Sequence, residues 1–436
     1  MAKERLEIAE SDEAGNIITT YISSPSDQAG VSRIDLILPK DTKSLWQTTL
    51  DCFLPVGYPQ SVTDDYLEYQ IYDSLQAFSS SIVSILSSRA VLSTVGVGDA
   101  EASPTAALML SILQDCAGRI ATILFAHRFG TAFEPECKMY RLLADVLNDT
   151  SFVLNCLTPV FPKSIQFVAL SFSSVLRSLC GVAAGSAKAS LSAHFAKWGN
   201  LAELNAKDSS QETVISLVGM MFGSLVVSYI VTPIATWTAL VLLLSVHLET
   251  NRRAVRAVKM RTLNRQRATL VYHQLTKHER IPTPFEISRQ ERIFEYDGVL
   301  RSADDKIMGH CHVGGSIKRL LSSTTPKSAE HAPSSKLSLR VDNVVLNDLL
   351  QRTQGRKYIL GRLPGRHQYE IILKEGVKPE DILEAWWQAL ASAEGIDKPD
   401  AFAQQLLQKH RDALVAACWD LDIGALETRP SVRVRI

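Results

Sequence analysis

From residue 53 to about 275, apolar positions recur at the three- and four-residue spacing of helices, and charged residues are sparse. The stretch "FLPVGYPQSVTDDYLEYQIYDSLQAF" (53–78) opens on two prolines and a glycine and then turns helical. Ser61 and Thr63 suit a helix cap, and Asp64, Asp65 and Glu68 crowd first turns, where the positive helix end favours carboxylates. Leu67, Ile71, Leu75, Phe78, Ile82 and Ile85 follow at helical spacing and define the face that the pattern assigns to the interior. Shorter apolar stretches at 74–88, 106–114, 120–126 and 150–162 are below spanning length or interrupted by charge. They read as a packed helical bundle that does not require further membrane spans.

The run at 213–248 differs, holding no Asp, Glu, Lys or Arg in 36 residues where about 20 apolar ones suffice to span a bilayer. As one helix it would measure about 54 Å against a hydrocarbon core of about 30 Å, so it should break. Thr232-Pro233 is the natural place, a cap followed by a proline that fits the first helical turn. A tilted hairpin, one span with a re-entrant piece, and a buried soluble hairpin all satisfy the pattern. Ser209 and Glu212 read as a capping box at the helix entry, and seven basic residues from Arg252 to Arg267 read as a flank facing anionic lipid.

Residues 1–45 are polar, with strand patterns in "NIITTYI" and "RIDLIL", and form an extension. A connecting segment at 276–321 leads to a Ser/Pro/Ala/Lys linker at 322–336. In 337–436 a hairpin is expected around Pro364-Gly365, then a helix near Pro379 carrying Ile382, Trp386 and Leu390. A second helix over 401–418 and a closing strand in "SVRVRI" complete that region. The expected fold class is therefore mainly α: a helical, membrane-associated bundle over 46–275, followed by a small α+β C-terminal domain.

Charge narrows the partners, since 46 Lys plus Arg balance 46 Asp plus Glu and no global field points to nucleic acid. Seven scattered cysteines without a CxxC pair read as reduced thiols. The N-terminal "MAKERLEIAESDEAGN" lacks an apolar h-region and an Arg/Ser-rich amphipathic stretch, so no cleaved secretory or transit signal is expected.

Candidate chemistry is thin. Asp115 and Arg119, four apart in an apolar helix, should pair or line a polar cavity. Lys138, Arg141, Asp145 and Asn148 share a face that is either an ordinary solvated one or directed at another helix. In "CGVAAGSAKASLSAH" (180–194), Gly181 and Gly185 form a helix-packing pattern, while a phosphate cradle with Lys188 as a Schiff-base lysine is the sharper alternative. His310, Cys311 and His312 lack the further ligands that a metal needs, and no metal site is expected.

Seven motifs together carry a resemblance: the 53–78 stretch, "SSRAVLSTVGVGD", "LQDCAGRIATILFA", "KMYRLLADVLND", "GVAAGSAKASLSAH", "NLAELNAKDSSQET" and "NRRAVRAVKMRTLN". In this order they resemble the Root UVB Sensitive (RUS) family, strongly over about 50–275 and more loosely in "ILEAWWQAL" and "CWDLD". The resemblance implies a role in vitamin B6 homeostasis, with membrane association common among relatives and ultraviolet-B and seedling phenotypes in plants. It brings no established reaction and no catalytic residues. It does imply a shared polar site drawn from Gly57, Tyr58, Pro59, Asp65, Tyr66, Asp73, Asp115, Arg119, Asp145, Asp149, Lys207, Asp208 and Gln211.

The leading expectation is a non-enzymatic, membrane-associated protein that handles or moves vitamin B6 vitamers, with membrane lipid as a partner. A soluble pyridoxal-phosphate enzyme or carrier, with Lys188 or Lys207 as aldimine lysine, is the alternative. A third reading is an adaptor that assembles with a RUS paralogue or with itself.

Overall fold

The computed structural model describes residues 7–11, 17–24, 33–37, 52–95, 104–323, 355–363 and 367–435. Among them the protein is mainly α, with eleven α-helices and a smaller strand-containing C-terminal region. The long helices are α1 (Tyr66–Val95), α2 (Pro104–Phe129), α3 (Cys137–Leu157), α4 (Lys163–Phe195), α5 (Leu201–Tyr229) and α6 (Pro233–Ala257). Five segments are long and apolar enough to cross a membrane: Tyr66–Thr94, Leu108–Ala132, Lys163–Phe195, Leu201–Tyr229 and Pro233–Ala257. The uncharged run 213–248 lies across the last two of them. In the other helices the short apolar runs are centres of longer elements, extended by Ser, Ala and Thr that a helix accommodates at little cost.

The break at Thr232-Pro233 is present. Helix α5 ends at Tyr229, Pro233 opens α6, and the Thr232 hydroxyl accepts from the Ala235 amide at 3.3 Å. The helix entry is elsewhere than expected: α5 starts at Leu201, so Ser209 and Glu212 lie inside it. Leu, Ala, Glu and Lys in 201–207 are strong helix formers and carry the helix two turns further back than a capping signature suggests.

The chain divides into two compact units, Met1–Leu86 with Leu191–Thr250, and Ser87–Ser190 with Asn251–Ile436. In the first, β1 (Glu7–Ser11), β2 (Ile17–Ser24) and β3 (Arg33–Ile37) form an antiparallel sheet in that order. Helices α1 and α5 approach closely at two glycines. A Cβ at Gly219 would lie 2.7 Å from Ser81 Cβ and 2.9 Å from the Phe78 carbonyl oxygen, and one at Gly223 would lie 2.9 Å from Ile85 Cδ1. This is the small-residue pattern that brings helices together. The one expected to do so, Gly181 with Gly185, has nothing within 4 Å.

The second unit holds a mixed sheet whose hub is β8 (Gln368–Lys374). It pairs antiparallel with β7 (Tyr358–Leu363), and parallel with β6 (Ile307–Val313) and β10 (Arg433–Val434), while β5 (Val299–Arg301) pairs with β6. The predicted hairpin is thus β7–β8, with its tip at 364–366 outside the described residues, and the predicted closing strand is β10. A second, two-stranded pairing joins β4 (Thr262–Asn264) to β9 (Asp420–Ala425).

Around these strands lie α7 (Arg265–His278), α8 (Pro284–Gln290), α9 (Ile317–Ser323), α10 (Pro379–Glu394) and α11 (Pro399–Ala416). Trp386 and Trp387 on α10 are fully buried. Their indole N–H groups donate to the Thr269 hydroxyl and the Ala268 carbonyl of α7, each at 3.0 Å. The core therefore reaches back past residue 275, and the segment expected to be a connector supplies β5 and β6. A Ser/Pro-rich stretch can interrupt a sheet between two of its strands as readily as it ends a domain. Apart from its first two residues, the proposed linker at 322–336 lies outside the described residues.

Candidate functional site

The first turns of helix α1 are inverted relative to the expected face, while Ile82, further along that face, is buried as expected. Leu67, Ile71 and Leu75 are 46%, 52% and 49% exposed, while Gln70, Asp73 and Gln76 are 7%, 6% and 8% exposed. The polar side chains on that face are bonded to neighbouring helices of the same unit. Gln70 Nε2 donates to Asp208 Oδ1 on α5 at 2.7 Å, Gln76 Nε2 meets His247 Nε2 on α6 at 2.7 Å, and Ser79 donates to the Leu243 carbonyl at 2.8 Å. On the same helices Leu217, Met221 and Leu225 of α5, and Ile234, Val241 and Leu242 of α6, are exposed. These helices thus bury polar side chains beside apolar ones such as Val83, Leu86 and Leu240, and leave further apolar ones exposed.

The segment before α1 is fixed by the end of α4. Val62 bridges Ala196, the Thr63 amide donates to the Phe195 carbonyl at 3.1 Å, and the Lys197 amide donates to the Ser61 carbonyl at 3.1 Å. This places buried Asp65 3.0 Å from His194 Nε2, and stacks Tyr66 edge-on against Phe195 at 5.5 Å between ring centroids. Tyr58 lies 6.5 Å from the Tyr66 ring. Asp65 thus does more than begin a helix. The buried hydroxyls of Ser61 and Thr63 and the Asn200 carboxamide have no hydrogen-bond partner among the described residues. Lys207 and Gln211 hold the incoming chain, donating to the Cys52 and Phe53 carbonyls at 3.2 and 2.6 Å, while Glu203 accepts from the Val56 amide at 2.8 Å.

Other expected site residues belong to the second unit. Asp145, on the buried charged face of α3, pairs with Arg141 at 3.0 Å and accepts from Asn251, and Asp149 is buried one turn on. On the same face Lys138 meets Glu291 at 2.6 Å, which also takes Arg267 at 2.6 Å. Burial pushes the Glu291 carboxyl up, but Lys138 and Arg267 together outweigh it and hold it below the ordinary carboxylate range. This polar face of α3 is turned inward, the second of its two readings. Arg265 and Arg267 are likewise buried in ion pairs, so two members of the basic flank do not face lipid.

Asp115 and Arg119 do not join either cluster. Both are exposed on α2, and no ion pair joins them. Lys188 is half-buried inside α4, which runs unbroken through 180–194, so the glycine/serine stretch is helix rather than a phosphate-cradling loop.

A cavity of about 530 Å³ lies in the second unit, at residues that the sequence does not single out. One face of α7 forms a wall through Arg265, Gln266, Thr269 and His273, and the end of α2 contributes Arg128 and Phe129. Met139 and Tyr140 of α3, the stretch 295–305 around β5, and Thr428 with Arg429 close it. Arg265 is held by Glu136 at 3.5 Å and by Asp297, and Arg429 by Asp297 at 2.8 Å. Arg301 is held by Glu295 at 2.6 Å, and Arg292 by Asp305. Burial, with Glu136 and Asp297 nearby, pushes the Tyr140 hydroxyl up to about 12, and burial also pushes the Glu136 carboxyl up. Burial pushes His273 down, with its Nε2 donating to the Arg301 carbonyl at 2.7 Å.

A family model described as "Vitamin B6 photo-protection and homoeostasis domain" matches residues 39–279. The chain is 38% identical over 291 residues to "RUS family member 1" of Dictyostelium discoideum, covering 66% of this chain and 55% of that protein. It is 31% identical over 384 residues to "Protein root UVB sensitive 3" of Arabidopsis thaliana, covering 85% and 81%. The chain belongs to the root UVB sensitive family. A further RUS relative, "Protein root UVB sensitive 2, chloroplastic" of Arabidopsis thaliana, is 26% identical over 342 residues, covering 78% and 72%. No solved structure matches the chain. The RUS family match ends within a few residues of α7, so the cavity is built partly from matched positions and partly from residues 290–305 and 428–429 beyond them. The arginines that line it are scattered from Arg128 to Arg429 and make no local motif.

Proposed function

We propose that this RUS protein is an integral membrane protein that handles or moves vitamin B6 vitamers through the polar interior of its apolar helices, without a catalytic step. The observation that carries the reading is the inversion of the first turns of α1, with Gln70, Asp73 and Gln76 inside and Leu67, Ile71 and Leu75 outside. In water that arrangement exposes apolar surface and buries polar groups at a cost, whereas in a bilayer it matches each side chain to its surroundings. Polar residues inside membrane helices mark substrate pathways. The unpartnered hydroxyls of Ser61 and Thr63 beside the Asp65–His194 pair offer a polar solute donors and acceptors at one end of that interior. The family description supplies the solute class.

On this reading pyridoxal phosphate or a related vitamer is cargo, and lipid is the partner of the exposed faces. Lys207 is engaged with the Cys52 carbonyl.

The test is the full chain in phosphatidylcholine vesicles, with uptake of labelled pyridoxal as readout. Uptake above that of empty vesicles, falling about ten-fold in Asp73→Asn, is expected. Release of the chain from native membranes by alkaline carbonate, or uptake no faster than in empty vesicles, would overturn the reading.

A further inference from the structure

The cavity in the second unit uses none of the residues that the transport reading relies on. Five guanidinium groups line it (Arg128, Arg265, Arg292, Arg301 and Arg429), and they arrive from four separate segments of the chain. Four carboxylates line it too: Glu136, Glu295, Asp297 and Asp305. These carboxylates fix four of the arginines in place, and an oriented guanidinium keeps further N–H donors for a ligand. Arg128 has no carboxylate partner among the described residues and lies over the Phe129 ring at 5.3 Å. The described lining thus carries one guanidinium more than it has carboxylates, that of Arg128. Burial of Glu136 works in the same direction, since it disfavours the negative form.

We propose that this cavity is a phosphate-recognition site that takes a small phosphate-bearing molecule without forming a covalent bond to it. A carboxylate ligand is satisfied by one bidentate fork. Guanidinium groups converging from four segments exceed that need and suit the doubly charged, three-oxygen end of a phosphate monoester. The volume, about 530 Å³, is in the range of small-molecule sites, and Tyr140, Phe129 and Tyr296 provide aromatic surface for a planar ring. Among the described residues no lysine lines it, so an aldehyde-bearing ligand would meet no amine from them. Because Arg128 and Phe129 belong to the candidate span Leu108–Ala132, the phosphate has two sources, a soluble metabolite or a lipid headgroup.

The inference does not depend on the transport reading, and the experiment separates the two. Isothermal titration of the full chain in detergent would use inorganic phosphate, pyridoxal 5′-phosphate and pyridoxal as probes, with Arg128→Ala and Arg429→Ala as variants. Arg128 is exposed at a helix end, so its variant should fold, and an unchanged thermal melt would check this. Saturable binding of both phosphate-bearing probes is expected, with pyridoxal at least about ten-fold weaker and each variant weakening phosphate binding about ten-fold, the loss of one charge-assisted hydrogen bond. Asp73→Asn, which tests transport, should leave this binding unchanged. Competition by phosphatidylinositol phosphate in mixed micelles, without competition by phosphatidylcholine, would assign the lipid source. Absence of that competition would assign the soluble one, and either outcome upholds a phosphate site. Failure of both phosphate-bearing probes to bind, equal affinity for pyridoxal, or full affinity in the Arg128→Ala, Arg429→Ala double variant would overturn it.

Discussion

Helices α1 and α10 carry similar alternations of apolar and polar residues and solve opposite problems. On α10, Ile382, Trp386, Trp387 and Leu390 are buried, and the acidic first turn at Glu380 and Asp381 is half-buried, with Glu380 paired to Arg411. On α1 the leucines and isoleucine of the first turns are outside and the amides and carboxylate inside. The difference shows that periodicity identifies the two faces of a helix, and that the solvent decides which one is turned inward. Water selects the arrangement of α10, and the arrangement of the first turns of α1 is the one that a hydrocarbon surrounding would select.

The largest effect that sharpens this contrast should come from Trp387→Ala. It removes a fully buried indole and its bond to the Ala268 carbonyl, and should cost about 3–5 kcal/mol in chemical unfolding of the full chain followed by circular dichroism. A loss below about 1 kcal/mol would mean that α10 is not packed as a water-facing helix. Close behind, Glu291→Ala leaves Lys138 and Arg267 buried without their carboxylate and should cost about 3 kcal/mol. Gly219→Ala drives a methyl group toward the Phe78 carbonyl and Ser81, and should cost about 1–3 kcal/mol in detergent unfolding while leaving the second unit's denaturant transition in place.

A pH series tests the second unit. His273 is held below its ordinary 6.5 by burial, against the pull of the Arg301 carbonyl and Glu394 toward the charged form. The unfolded chain therefore binds the proton first, and stability is complete above about 6.5 and declines as pH falls through it. Glu291, held below its ordinary 4.5, adds a further loss at still lower pH. The melting temperature should accordingly fall from about pH 8 toward about pH 5, and His273→Gln should flatten the upper part of the curve. The smallest effect belongs to Ile71→Ser, within about 0.5 kcal/mol in detergent. The matching change on the other helix, Ile382→Ser, should cost several times more, and equal costs at the two positions would erase the comparison.

Much of this architecture was legible in the residues. The helix break at Thr232-Pro233, the β7–β8 hairpin and the tryptophan helix each have a local cause, whether a cap with proline, paired strand patterns, or four-residue apolar spacing. The resemblance assigns Asp65, Asp73 and Asp208 to a shared polar site, and all three are buried. The inward direction of α1 was not legible, because Leu67, Ile71 and Leu75 look the same from sequence whether they meet protein or lipid. Gly219 and Gly223 were hidden within an apolar run, while the more conspicuous Gly181 and Gly185 face open space. The cavity escaped notice for a different reason, since Arg128 and Arg429 become neighbours only through the folded sheet and α7.

The pairing of α7 with α10 also sets an order of events at the ribosome. Thr269 waits for Trp386 across 117 residues, and Ala268 for Trp387 across 119. At cellular elongation rates that interval is on the order of ten seconds. Throughout it, the apolar side of α7 has left the exit tunnel without the partner that will cover it, and β6 likewise precedes β8. Nascent chains stalled before residue 386 should therefore recruit holdase chaperones, and those stalled well beyond residue 434 should shed them.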